Sequence, residues 1–69
     1  MEERLITLKE VSERTNISRA HIYNKWNERS KYYDPNFPRP VINVGKMLFS
    51  HLEVQGYIDT LVSKARQLD

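Results

Sequence analysis

Ser18, Arg19 and His21 are the residues of this sequence whose types and spacing are best suited to bind an anion. The Ser18 hydroxyl is placed to cap a helix by accepting a hydrogen bond from a free amide of the first turn. His21 stands where a capping box would have Glu or Gln, so this helix end lacks a carboxylate of its own. Free amides and the helix dipole favour negative charge there, and Arg19 adds a cation. The pattern predicts phosphate binding, although two packed helices without any ligand can have the same caps.

The helix that follows Ser18 has a polar face that suits nucleic acid. Ile22 and Trp26 are four residues apart and mark its buried side. Asn can pair with two atoms of adenine and Arg with two of guanine, whereas Lys and Tyr usually bind phosphates. Asn24 is therefore the first candidate for a base contact, followed by Arg19. The residues of this helix predicted to contact DNA are Ser18, Arg19, Ala20, His21, Tyr23, Asn24, Lys25 and Asn27.

Three of these candidates also have an explanation that requires no contact with a base. Arg19 is better explained by a phosphate contact or a solvated charge than by base recognition. His21 is explained equally well as a neutral ring in solvent at the helix cap. The ring of Tyr23 can pack beside Trp26, as aromatic rings at this spacing usually do.

A first helix precedes this one and positions it. We expect Thr7 to cap its start, with Glu10 reaching back as the capping-box partner, and Ile6 and Val11 have the spacing of a hydrophobic staple. Asn16 stands where the chain must turn sharply, and Asn adopts the left-handed backbone conformation more readily than most non-glycine residues. Two helices joined by a tight turn are thus predicted between residues 7 and 26.

An irregular segment and a hairpin follow. Residues 34–36 predict a turn, and the prolines at 38 and 40 favour extended backbone that leads into a strand. Residues 41–49 are expected to form a β-hairpin, with Gly45 and Lys46 as a two-residue type II′ turn. Lys46 at the tip, with Arg39 near it, is a candidate for contact with the DNA backbone or minor groove. A basic tip can equally serve solubility.

The last helix has the clearest periodicity. Ser50 and Glu53 predict a capping box at its start. Gly56 inside this helix lowers its stability by roughly 1 kcal/mol relative to alanine. This indicates either that another backbone approaches closely there or that the loss of helix stability is tolerated. We expect its apolar stripe to cover the other two helices as core, with a dimer seam as the alternative. The stripe consists of Val54, Tyr57, Ile58, Leu61, Val62 and Ala65.

Composition and charge limit the class of protein. The 69 residues predict a single domain over residues 1–69 with a small core, and the lack of cysteine favours a reducing, cytoplasmic compartment. Neither a secretory signal nor a membrane span is expected. The net charge is only +2, but residues 19–46 carry +4 while the segments on either side carry −1 each. Positive charge is therefore concentrated in the second helix and the segment after it, which favours a polyanionic partner.

The residues needed for catalysis are missing from this sequence. It has two widely separated histidines, His21 and His51, and no glycine-rich phosphate loop or nucleophile elbow. Glu10 and Glu53 are better explained as capping residues than as general acids or bases. We therefore expect no enzymatic activity, no metal, no cofactor and no small-molecule substrate.

The motifs together resemble those of the AlpA-like prophage regulators and small phage excisionases, which have a MerR-like winged-helix fold. The resemblance covers nearly the whole chain, although the family usually has glycine where Asn16 stands and a basic residue where Asn24 stands. It implies a mainly α fold with a small β-hairpin: a winged helix-turn-helix with a two-stranded wing and a C-terminal helix. It further implies that the second helix lies in the major groove and that the wing follows the DNA backbone. The motifs that carry it are Leu5-Ile6-Thr7-Leu8-Lys9-Glu10-Val11, Ile17-Ser18-Arg19 with Ile22-Tyr23 and Trp26, Asp34-Pro35-Asn36-Phe37-Pro38-Arg39-Pro40-Val41, and Phe49-Ser50 with Glu53-Val54 and Tyr57-Ile58.

These observations predict a sequence-specific protein that binds double-stranded DNA, of prophage or mobile-element type. It would act as a transcriptional regulator or as an excisionase, with a recombinase or further DNA-bound copies as additional partners. The alternative is a protein-interaction module for an integrase or polymerase subunit. In that alternative Tyr32, Tyr33 and Phe37 would form an exposed aromatic patch.

Overall fold

The computed structural model describes residues 2–67, which fold into three helices and a three-stranded antiparallel sheet. Helices α1 (Leu8–Thr15) and α2 (Arg19–Trp26) form the helix-turn-helix, strands β2 (Ile42–Val44) and β3 (Lys46–Ser50) form the wing, and α3 (His51–Gln67) follows directly. The predicted winged helix-turn-helix is therefore confirmed. In chain order the elements are β1 (Leu5–Thr7), α1 (Leu8–Thr15), α2 (Arg19–Trp26), β2 (Ile42–Val44), β3 (Lys46–Ser50) and α3 (His51–Gln67).

The caps of the first two helices lie where the sequence places them. The Thr7 hydroxyl accepts from the amide of Glu10 at 3.2 Å, and Asn16 ends α1 in the left-handed conformation with φ 58°. The other predicted bond of this capping box, from the Thr7 amide to the Glu10 carboxylate, is wrong. The Glu10 carboxylate accepts instead from the guanidinium of Arg4 at 3.1 Å, because a charged donor makes the stronger hydrogen bond.

Strand β1 was not predicted from the sequence. It pairs with β3, with Ile6 opposite Phe49, so that the sheet order is β1-β3-β2. Both of these side chains are fully buried, which explains why the Ile6 position is apolar. The wing is therefore the outer part of a larger sheet, and its inner strand β3 has a neighbour on each side.

The hairpin turn is tighter than predicted. Val44 lies opposite Lys46, so Gly45 alone connects β2 to β3 and the two-residue turn is wrong. Gly45 has φ +82°, a conformation that glycine adopts without the steric penalty of a side chain. Lys46 is consequently the first residue of β3 and lies beside the tip.

The core is built around aromatic rings. The Trp26 ring stacks on Phe49 of β3 at 5.8 Å, and Phe37 lies between Trp26 at 6.2 Å and Tyr57 at 4.9 Å. Phe37 is only 2% exposed. The predicted exposed patch of Tyr32, Tyr33 and Phe37 is therefore wrong, because Phe37 belongs to the core and Tyr33 is half-buried. The buried core consists of Ile6, Val11, Ile22, Phe37, Phe49, Val54 and Tyr57.

Only the first half of the apolar stripe on α3 is core. Val54 and Tyr57 are buried and Ile58 is half-buried, whereas Leu61 is 47% exposed and Val62 is 46% exposed. Ala65, one turn further on, is exposed as well. The helix extends beyond the sheet on which it packs, so the prediction that the whole stripe covers the other helices is wrong. No helix within residues 2–67 has the length and apolar character needed to cross a membrane.

Gly56 in α3 has open space around it. A Cβ built on this residue meets no atom of the described chain within 4 Å. The explanation by close approach of another backbone is therefore wrong, and the explanation by a tolerated loss of helix stability remains.

The Ser50 hydroxyl caps the start of α3 as predicted, but within residues 2–67 the Glu53 carboxylate forms no hydrogen bond to complete the capping box, and Glu3 holds this end instead. The Ser50 hydroxyl accepts from the amide of Glu53 at 3.1 Å and itself donates to the Glu3 carboxylate. That carboxylate also accepts from the amide of Leu52 at 3.2 Å. These bonds hold the pKa of Glu3 below its usual value, with the Ser50 hydroxyl as the largest cause. The segment before β1 therefore fixes the amide end of α3.

Candidate nucleic-acid interface

The amide end of α2 has the features that suggested anion binding. Ser18 is the N-cap, and its hydroxyl accepts from the amide of His21 at 3.2 Å. The first turn of α2 contains no acidic residue, and Arg19 and Ala20 are both exposed. The helix dipole at this end is thus balanced only by the cap, and a guanidinium lies next to it.

The polar face of α2 lies opposite buried Ile22, as predicted. Asn24 and His21 are half-buried on this face, while Asn27 is exposed at its end. Asn27 is the C-cap, and its side-chain oxygen accepts from the amide of Arg29 at 3.0 Å. Of these two amide side chains, that of Asn27 is thus already used in a turn.

Two further candidates on α2, Tyr23 and Lys25, both contact aromatic rings. Tyr23 packs edge-on against Trp26 at 5.5 Å and 87°, which agrees with its structural explanation. The Lys25 ammonium lies 5.9 Å from the centre of the Phe37 ring. Both side chains are therefore oriented by the core at the carboxyl end of α2, with Tyr23 still half exposed.

The wing carries the remaining predicted residues. Arg39, on the way into β2, and Lys46, at the start of β3, are both exposed. Val44 at the tip is 88% exposed and was not among the predicted site residues. Its signal in the sequence is an apolar residue directly before a turn glycine, where no neighbouring strand can cover it. An apolar side chain beside a cation suits contact with deoxyribose and phosphate.

Trp26 connects α2 to the wing. Its indole nitrogen donates to the carbonyl oxygen of Pro38 at 3.0 Å, while its ring stacks on Phe49. Pro38 precedes β2 and Phe49 lies in β3. Trp26 therefore links α2 both to the segment before the wing and to the wing itself.

The cations of residues 19–46 carry no ion pairs within the described part of the chain. There the only ion pair joins Arg4 and Glu10. The acid Asp34 accepts a hydrogen bond from the Tyr57 hydroxyl at 2.8 Å, on the core side of the loop. Burial, followed by this carboxylate, raises the pKa of Tyr57 to about 12. The unpaired cations are Arg19, Lys25, Arg29, Lys31, Arg39 and Lys46.

The two histidines have separate surroundings. His21 packs against Tyr32 at the amino end of α2, whereas His51 accepts from the guanidinium of Arg14 at the start of α3. Arg14 also donates to Gln55, so it ties the end of α1 to α3. This role of Arg14 was not apparent from the sequence. Within residues 2–67 no group of three or more His, Cys, Asp or Glu residues is arranged to hold a metal ion.

Comparison with known proteins identifies the family. The family model described as prophage CP4-57 regulatory protein (AlpA) matches residues 4–59. The chain belongs to the AlpA family. The matched residues run from just before β1 into the first half of α3, and so include α2 and the whole wing. No curated protein and no solved structure matches the chain. AlpA membership supports a prophage regulatory role, and it confirms the resemblance to the AlpA-like prophage regulators stated above.

Proposed function

We propose that this AlpA-family protein regulates prophage genes by binding double-stranded DNA in a sequence-specific manner. In this proposal α2 enters the major groove and the wing lies along the adjacent backbone. The observation that carries it is the surface formed by α2, where an acid-free helix start with exposed Arg19 adjoins the half-buried amide of Asn24. A polyanion satisfies the helix dipole and the unpaired cations together.

The contacts divide into those that position the protein and those that recognise sequence. Arg19, Lys46 and the Ser18 helix end would bind phosphates. Asn24 would pair with a base, since Asn offers both a donor and an acceptor to adenine. The full proposed contact set is Ser18, Arg19, Ala20, His21, Tyr23, Asn24, Lys25, Asn27, Arg39 and Lys46.

Two substitutions on α2 test this division. A duplex selected from a random library and an unrelated duplex are each titrated at several salt concentrations. Arg19→Ala should weaken binding to both and reduce the slope of log K against log salt by about 0.9, the contribution of one phosphate. Asn24→Ala should weaken binding to the selected duplex by about 1–3 kcal/mol and leave binding to the unrelated duplex almost unchanged.

Lys9→Ala is the matched control for the loss of a cation. Lys9 is exposed on α1, outside the basic segment. The Lys9→Ala variant should therefore bind both duplexes as the parent does. If Arg19→Ala and Asn24→Ala bind like the Lys9 variant, α2 is not the recognition helix.

A regulator and an excisionase would use the same surface, and they differ in partners. The regulator requires a promoter site and, at most, further copies of itself bound in a row. The excisionase also requires a recombinase, whose excision reaction it would stimulate. A reporter gene under the selected site, compared with an excision assay that contains the recombinase, separates the two. Either role implies a cytoplasmic location.

A further inference from the structure

Residues 27–34, here called the tyrosine loop, return to the amino end of α2. The Tyr32 ring packs against His21 with ring centres 4.8 Å apart and planes at 51°. The ammonium of Lys31 lies 5.2 Å from the centre of the Tyr32 ring. A loop that begins at the carboxyl end of α2 thus places an aromatic ring and a cation next to its first turn.

The tyrosine loop is held in this position by its own hydrogen bonds. At its end the amide of Asp34 donates to the carbonyl oxygen of Lys25 at 2.9 Å, which ties the loop back to α2. Inside it the amide of Ser30 donates to the Asn27 carbonyl at 2.9 Å, and the amide of Tyr32 donates to the Ser30 hydroxyl at 3.1 Å. The loop is therefore ordered before any ligand arrives, which lowers the entropic cost of using it in binding.

The outer surface of the tyrosine loop is accessible and carries positive charge. Tyr32 is 47% exposed, and Lys31 and Arg29 are exposed. Neither cation forms an ion pair within residues 2–67. Of the two acids in the loop, Asp34 bonds to Tyr57 on the core side, and Glu28, three residues before Lys31, forms no ion pair with it within residues 2–67.

We propose that the tyrosine loop is a third DNA-contacting element beside α2 and the wing, in which Lys31 binds a phosphate and Tyr32 is a positioning residue. This inference rests on the proposed function. The Tyr32 ring holds the imidazole of His21 in one orientation at the helix start. It also holds the Lys31 ammonium over the face of the Tyr32 ring. The loop thereby extends the phosphate-binding surface from Arg19 along the DNA backbone and fixes how His21 faces the duplex.

The first test measures the phosphate contact of Lys31. Lys31→Gln and the control Lys9→Gln are prepared in the full chain, and their affinity for the selected duplex is measured over a range of salt. Lys31→Gln should reduce the slope of log K against log salt by about 0.9, and Lys9→Gln should not change it.

The second test measures the positioning role of Tyr32. Tyr32→Ala should shift the imidazole proton resonances of His21 in the free protein, because the ring current of the tyrosine is lost, whereas Tyr32→Phe should retain them. On DNA, Tyr32→Ala should lower the ratio of selected to unrelated affinity, and Tyr32→Phe should restore it. Far-ultraviolet circular dichroism checks that each variant is folded.

The outcomes separate this inference from the proposed function. If the parent binds DNA and Arg19→Ala weakens it, but Lys31→Gln keeps the parental slope, the tyrosine loop is not a contact and α2 still is. If Tyr32→Ala binds more tightly than the parent, the ring shields His21 from DNA and the inference is wrong. If the parent shows no salt-dependent binding, the proposed function and the inference both fail.

Discussion

The indole nitrogen of Trp26 donates a hydrogen bond to the carbonyl oxygen of Pro38 at 3.0 Å, where the chain leaves the tyrosine loop and approaches the wing. The same ring stacks on Phe49 in β3 at 5.8 Å and 15°. The last residue of α2 thus contacts the chain both before β2 and within β3. The angle between α2 and the wing depends on these two contacts.

Trp26→Phe tests the hydrogen bond. A phenyl ring keeps much of the stacking but leaves the Pro38 carbonyl without its donor, so we expect the free energy of unfolding to fall by about 1–3 kcal/mol. Urea unfolding followed by circular dichroism measures it. The control is Tyr23→Phe, which removes a hydroxyl from a half-exposed ring and should change stability by less than about 0.5 kcal/mol. Equal losses in the two variants would contradict the role given to the indole.

Tyr57→Phe tests the contact between α3 and Asp34. Burial and the Asp34 carboxylate raise the pKa of Tyr57 from 10.0 to about 12, so the folded state favours the neutral hydroxyl. Its contribution to stability is complete below the unfolded value and is lost as pH rises through the folded one. We expect the parent to lose more stability than Tyr57→Phe as pH rises from 10.0 to about 12. If the melting temperatures of the two proteins fall equally over this pH interval, the assignment is wrong.

Gly56→Ala should stabilise the protein. The new methyl group meets open space, and alanine is favoured over glycine within a helix by about 1 kcal/mol. Gly45→Ala should instead destabilise it by about 1 kcal/mol or more, because φ is +82° at the wing turn. Thermal unfolding of both variants measures the difference. A melting temperature that changes in the same direction for both would show that the backbone argument is wrong.

Glu3→Gln should make the protein less sensitive to acid. The pKa of Glu3 is lowered mainly by the Ser50 hydroxyl, so the carboxylate stabilises the fold above its unfolded value of 4.5. That contribution is lost as pH falls through the folded value. Between about pH 6 and about pH 3 the parent should therefore lose more stability than the variant. Glu2→Gln, one residue away and exposed, is the control and should follow the parent.

The helix boundaries were predictable because their causes are local. Thr7 and Ser18 act on amides within three residues, and Asn16 ends α1 through its own backbone conformation. The turn at residues 34–36 is equally local, since the Asp34 carboxylate accepts from the amide of Asn36 at 3.0 Å. Interactions of this range are visible in a short stretch of sequence.

Apart from the hairpin turn at Gly45 and the Glu10 carboxylate, the errors concern contacts between distant segments. Strand β1 is too short to show an alternating pattern, and its pairing with β3 depends on residues far along the chain. The burial of Phe37 is decided by Trp26 and Tyr57, which belong to other elements. The periodicity of α3 shows which side is apolar, but not where the surface that covers it ends, and so it overestimated the role of Leu61.

The features of α2 that define the candidate site were predictable, and the contacts that surround it were less so. The cap, the acid-free first turn and the exposed Arg19 follow from the order of residues on one helix. The packing of Tyr32 on His21 does not, because it results from the path of a loop without regular structure. Tests of the proposed DNA contacts therefore need variants in both segments.

The central position of β3 affects the order of events during synthesis. A ribosome releases Leu5–Thr7 early, but the strand that pairs with it emerges only after both short helices and the tyrosine loop. Closing so long a stretch of chain is slow compared with forming a local turn. A nascent chain halted before Met47 would therefore have two capped helices with no sheet to support them. The sheet that supports these helices would therefore be completed only late in translation.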